Sequence, residues 1–276
     1  VRSATISLHQ GFLPTQASSR AYVWKYSPLN WGRRPRHFHI EPELNLIATG
    51  RATFGIGNTT VEASQGDLLG FPPGQDHALL DASPDLFLFA VGMDPGFSAD
   101  ILSSDGLPIV PLRMRLSPED FNALLRRASA IVDRVGVEQP CAELWEHIHW
   151  LGRRYEPKIS APLHVLTRRA LSAVAKRPGL GLEGLSAGLR SLASEVSRKF
   201  HQDMGITFVQ YRTRVRILNL IRLVDTLGLS LMSAAEAASF GSYSQCHRAF
   251  QSQLGCSPRD FFCSGIRGQM QQAFDP

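Results

Sequence analysis

Hydrophobic and polar positions along the chain fall into three successive regimes. From about residue 5 to 112, short apolar runs alternate with Gly, Pro, Asn and Asp: LNLIATG at 44–50, ATFGIG at 52–57, GDLLGFPPG at 66–74 and LFLFAVGM at 86–93. Such runs, punctuated by turn formers, predict a strand-built sandwich or barrel. From about 117 to 155 the period lengthens. Ser117-Pro118-Glu119-Asp120 reads as a helix start: a capping hydroxyl, proline in the first turn, acids at the positive end of the dipole. Phe121, Leu124, Leu125, Ala128, Ile131 and Val132 then recur at spacings of three and four. A second amphipathic run, Ala142 to Tyr155, puts Leu144, Trp145, Ile148 and Leu151 on one stripe. These stripes suit packing on the β domain and, equally, a dimer seam. EPKISAPL (156–163) has two prolines and no periodicity, so it reads as a linker. Everything from His164 onward reads as helices joined by short turns.

The C-terminal regime holds two similar helix-turn-helix units. In the first, about Gly181 to Gly205, a short helix (Leu182 to Ala187) and a turn at Gly188-Leu189-Arg190 precede a second helix capped by Ser191. Leu192, Val196, Phe200 and Met204 form its buried stripe. Ser194, Ser197, Arg198 and His201 lie off that stripe and can face a DNA groove. The second unit, about Leu231 to Gly255, repeats the plan with a turn at Phe240-Gly241. Its second helix buries Cys246, Phe250 and Leu254 and presents Tyr243, Ser244, Gln245, His247 and Arg248. Ser, Gln, His and Arg can pair with base edges, and Arg also binds phosphate. A connecting helix, about Thr207 to Thr226, carries Arg212, Arg214, Arg216 and Arg222. It would set the two recognition helices roughly 34 Å apart on one duplex face.

Charge sharpens this picture. The chain of 276 residues carries a net +5. Residues 164–276 hold 14 Lys+Arg against 7 Asp+Glu, and residues 1–163 hold 15 against 17. A basic C-terminal part beside a mildly acidic remainder fits a nucleic-acid-binding module joined to something else. No apolar run has the length of a membrane span, and the N-terminal residues lack the basic-then-apolar pattern of a signal peptide, so a cytoplasmic location is expected. Cys141, Cys246, Cys256 and Cys263 form no CxxC pair and are expected as free thiols.

Residues 181–264 resemble the DNA-binding domain of the AraC/XylS family of transcription regulators. SRKFHQDMGITFVQYRTRVRI and ASFGSYSQCHRAFQSQLGCSPRDF match its two recognition helices and its signature end. Arg198 and Phe200, and again Arg248 and Phe250, keep the family's spacing; Gly255, Ser257 and Pro258 follow. Three positions depart: Ser239 stands where the family usually has Gly before the turn Phe, Ala234 replaces a buried Ile, and Leu220 fills a site often held by Ala. The resemblance implies a sequence-specific regulator bound to double-stranded DNA, with a homodimer and RNA polymerase as candidate partners.

The N-terminal half carries a second resemblance, over about residues 30–95, to the cupin fold. Its motifs read His37-x-His39-x3-Glu43-x6-Gly50 and Gly66-x5-Pro72-x-Gly74-x2-His77. Taken as one strand, residues 37–43 would put His37, His39 and Glu43 on one face. In metal-binding cupins the matching residues bind a divalent ion. His37, His39, Glu43 and His77 would thus suit Zn, Fe, Mn, Ni or Cu, or contact the polar part of an organic effector, or be inherited barrel residues with no ligand.

The fold expected is two-domain: an N-terminal all-β cupin-like barrel with following helices, and a C-terminal all-α domain with two helix-turn-helix units. The boundaries expected are 1–112 (sensor), 113–156 (helical packing or dimerisation), 157–163 (linker) and 164–276 (DNA-binding domain). The function expected is a transcription regulator whose sensor binds an unidentified small molecule or metal. The competing class is a metal-dependent cupin enzyme fused to a DNA-binding module. No GxGxxG after a strand, P-loop or GxSxG supports it, and no catalytic residue is assigned.

Overall fold

The computed structural model describes residues 8–9, 20–27, 35–57, 59–94, 113–154 and 163–272. Most of the expected 157–163 linker lies outside them. Among the described residues the N-terminal domain forms two five-stranded sheets. The first runs β1 (Leu8–His9), β3 (His37–Phe38), β8 (His77–Ala82), β5 (Arg51–Ile56) and β6 (Thr59–Ser64). The second runs β10 (Arg113–Arg115), β7 (Asp67–Phe71), β4 (Glu43–Thr49), β9 (Phe87–Met93) and β2 (Ala21–Tyr26). The strand domain therefore reaches past the expected boundary at 112, because β10 pairs with β7.

Side-chain alternation along β4 explains the layering. Leu44, Leu46 and Ala48 point outward to a core shared with α1 (Pro118–Ile131) and α2 (Glu138–Arg154). Ile47 points inward, to a core with Phe54, Ile56, Phe71 and Leu88 between the sheets. Both helical stripes read from the sequence are used here: Leu124, Ala128, Ile131, Leu144, Trp145, Ile148 and Leu151 are buried against the second sheet. These side chains serve packing on the β domain. Ser117 caps α1 as expected, accepting from the Asp120 amide at 3.1 Å.

The C-terminal domain comprises α3 (Val165–Lys176), α4 (Leu182–Leu189), α5 (Ala193–Met204), α6 (Phe208–Leu227), α7 (Leu231–Ala237), α8 (Tyr243–Leu254), α9 (Pro258–Cys263) and α10 (Ile266–Gln272). Two local expectations change. The residue capping α5 is Leu192, whose side chain cannot accept a hydrogen bond, and not Ser191. Leu192 is 73% exposed, so the buried stripe begins at Val196. In the second unit Leu220 and Ala234 are both fully buried in one core, the larger side chain on α6 and the smaller on α7.

The two domains share a core. Phe38 of β3 is fully buried among Ile217, Leu218, Phe250 and Phe261, with Ile40 packed beside it. Burial of a Phe side chain stabilises by about 1.5–3 kcal/mol, so this contact alone favours docking.

Candidate ligand site and nucleic-acid interface

His37 and His77 are cross-strand partners on β3 and β8. Their rings stand 4.4 Å apart, and Phe71 stacks on His77 at 4.3 Å. Residues 37–43 are not one strand: β3 ends at Phe38 and β4 begins at Glu43, with a bend between them. The bend carries the chain from one sheet to the other, so Glu43 approaches the histidines from the facing sheet. Convergence thus comes from the sandwich and not from strand parity. Ligand atoms of His37, His39, Glu43 and His77 lie within 4.8 Å of one another, all four residues being buried. This group could hold a metal ion.

Backbone contacts orient all three imidazoles. The Nδ1 atoms of His37, His39 and His77 lie 2.8, 2.8 and 3.1 Å from the carbonyl oxygens of Pro35, Glu41 and Gln75. Only a protonated Nδ1 can bond a carbonyl, so each Nε2 is directed to the cluster. Glu43 Oε2 lies 2.8 Å from His39 Nε2 and 3.2 Å from His77 Nε2. A ring nitrogen lone pair and a carboxylate oxygen at such distances repel unless a proton or a cation lies between them. Electrostatics follow. Burial, then the neighbouring His77 and His39, hold His37 well below its usual pKa. For His39 burial opposes the charge, but the hydrogen bond and charge of Glu43 prevail and raise its pKa. Burial likewise opposes the Glu43 carboxylate, yet His77 and His39 together keep it well below the usual range.

A cavity of about 60 Å³ adjoins the cluster, lined by Trp24, Tyr26, Glu43, Asn45, Phe54, His77 and Leu88 among others. Sequence reading missed Asn45. Its Oδ1 is buried with no hydrogen bond. The missed signal was its place two residues after Glu43 on β4, hence on the same inward face.

On the helical side, Ser194, Arg198 and His201 of α5 and Ser244, Gln245, His247 and Arg248 of α8 are exposed; Ser197 and Tyr243 are half-buried. The connecting helix keeps most of its arginines for the protein itself. Arg214 and Arg216 are buried, at 8% and 9% exposure, and serve internal bonds. Arg212 donates to the Leu180 carbonyl at 3.1 Å. Of its four arginines only Arg222 is exposed, as suits a connecting strut.

Two family models match the chain. A helix-turn-helix domain matches residues 186–263, and the AraC-like ligand binding domain matches residues 26–149. The chain belongs to the AraC family of regulators. The two matched domains are those of a ligand-sensing, DNA-binding regulator. No curated relative matches. Among solved structures, this AraC-family chain is similar to ToxT from Vibrio cholerae, at 14% identity over 88% of this chain and 96% of that one, with a TM-score of 0.46. Unsaturated-fatty-acid-bound ToxT gives 12% identity, 87% and 93% coverage and a TM-score of 0.47. The C-terminal domain of AraT, a response regulator from Geobacillus stearothermophilus, is 25% identical over 37% of this chain and 86% of that one, with a TM-score of 0.35. Among the described residues no helix is long and apolar enough to cross a membrane.

Proposed function

We propose that this regulator is switched by a divalent transition metal held by His37, His39, Glu43 and His77, and that it reads DNA with α5 and α8. The carrying observation is the fixed tautomer: three Nδ1–H groups tied to backbone carbonyls leave three Nε2 atoms beside one carboxylate. Three neutral imidazoles and a carboxylate form a mixed N/O donor set suited to ions of the zinc, iron, manganese, nickel and copper group. A bound ion would supply the positive charge that relieves the close approach of Glu43 to His39 and His77.

Cavity size supports metal over a bulky effector. Pockets for drug-sized organic molecules measure roughly 300–1,000 Å³, whereas the space beside the cluster is about 60 Å³. A second reading rests on Asn45: its unsatisfied Oδ1 invites a hydroxyl or N–H donor, so a compact polar molecule of a few heavy atoms could be the effector.

For DNA, Ser194, Ser197, Arg198 and His201 form one reading surface and Tyr243, Ser244, Gln245, His247 and Arg248 the other. Two recognition helices on one chain let a single copy contact successive major grooves. The test has two parts. Elemental analysis of the purified full chain should give one equivalent of metal, lost in the His37→Ala/His39→Ala double variant with folding intact. Genome-wide mapping of binding sites should give a two-part motif. Metal-free wild-type protein that still responds to a small organic molecule would support the second reading instead.

A further inference from the structure

Both segments that carry the candidate histidines also touch the DNA-binding domain with a neighbouring residue. Between His37 and His39 stands Phe38, whose ring enters the core around α6 and α8. Beside His77 stands Asp76, its side chain only 5% exposed. Asp76 pairs with Arg214 of α6 at 2.6 Å and with Arg36 at 2.9 Å. Arg214 in turn lies over the Phe38 ring, 5.1 Å from its centroid, and donates from Nε to Gln253 of α8 at 3.0 Å. An unbroken chain of bonded groups therefore runs from His77 through Asp76 and Arg214 to the second recognition helix.

The first recognition helix is tied to the same loop. Gln75, whose carbonyl orients His77, donates from Nε2 to the carbonyl of Met204, the last residue of α5, at 3.4 Å. Gly57, at φ 54, passes so close to Met204 and Gly205 that a methyl group there would collide with their backbone. The Gly74 amide donates to the His39 carbonyl at 2.9 Å, which links the Gln75–Asp76 turn to the other ligand segment.

We propose that Phe38, Gln75 and Asp76 form the transmission surface of the sensor: drawing His37, His39 and His77 onto an ion shifts these neighbours, and with them the placement of α5 and α8. The inference rests on the reading that the cluster binds a metal. Packed, bonded elements pass on such shifts because they have discrete arrangements and do not deform continuously. Linkage requires that the ion change DNA affinity by the same factor by which DNA changes affinity for the ion.

The experiment uses the full chain, zinc or manganese as the probe, and an operator duplex recovered from genomic mapping. Metal stoichiometry is measured first, then the ratio of DNA dissociation constants with metal and with chelator. In the wild type this ratio should differ from one by about fivefold or more. In Asp76→Asn it should fall towards one while metal stoichiometry stays at one. If Asp76→Asn fails to fold, Gln253→Ala, which cuts the same chain at a half-exposed side chain, carries the test. A wild type that binds no metal overturns the site reading and this inference with it. A wild type that binds metal but shows equal DNA affinities overturns the inference alone. So does a folded variant that keeps the full wild-type ratio.

Discussion

The guanidinium of Arg216 donates to the carbonyl oxygen of Ser239 at 2.6 Å and lies 4.0 Å over the Phe240 ring. This bond closes the turn between α7 and α8, and the turn demands a left-handed residue: Ser239 has φ 67. That conformation costs a residue with a Cβ about 1–2 kcal/mol. The tolerated side chain also needs room, and Gly179 supplies it, since a Cβ there would lie 2.9 Å from that of Ser239. Ser239→Gly should therefore raise stability by about 1 kcal/mol, after the larger entropy loss of glycine is set against the relieved strain. Thermal denaturation of the two proteins checks this; an unchanged or lower Tm would refute it.

Metal affinity should rise with pH through neutrality. His39 must surrender a proton to ligate, and its pKa is raised above 6.5. His37, held well below 6.5, is already neutral and adds no competition near neutral pH. Binding should weaken as pH falls, and uptake of the ion should release the His39 proton. Calorimetry in buffers of differing ionisation enthalpy reads that proton directly; a pH-independent affinity would argue against His39 as a ligand.

Arg198→Ala and Arg248→Ala should each cost about 1–3 kcal/mol of operator binding and relax preference at particular positions, if each contacts a base edge. Affinity of the full chain should also fall steeply with salt as phosphates recover their counterions. Loss at Arg198 with no effect at Arg248 would mean that α5 alone reads sequence. By contrast Arg216→Met should lower stability while leaving the salt dependence of DNA binding unchanged, because that side chain is spent inside the domain.

Cysteine labelling offers a simple check of the packing. Cys141, Cys246 and Cys256 are buried and Cys263 is exposed. Burial pushes the Cys141 thiol up to about 12 and the Cys246 thiol up to about 11, so neither forms a thiolate at neutral pH. A native protein treated with a thiol reagent should take one label, at Cys263, by mass spectrometry of its peptides. Rapid labelling of Cys246 would mean that the core of the second unit opens.

Local order was legible in the sequence because short-range physics writes it. The Ser117 cap, the strand runs, the two helix pairs and the buried stripes at Val196–Phe200–Met204 and Cys246–Phe250–Leu254 follow from periodicity and capping. The candidate cluster His37, His39, Glu43 and His77 was legible as motif spacing. What brings its members together was not: a bend between β3 and β4 and the pairing of β3 with β8 are long-range events that a strand-parity argument cannot foresee. The same holds for charge. Arg214 and Arg216 read in sequence simply as basic residues of the connecting helix, because an arginine carries the same charge in water or in a core. Only the fold delivers Asp76 to the one and the Ser239 carbonyl to the other, and so makes both internal struts. Phe38 shows the limit most clearly. Its alternation with His37 and His39 predicts a face opposite theirs, but not that the DNA-binding domain covers it. Which surface meets which is decided by complementarity across the whole molecule, after each segment has already taken its local form.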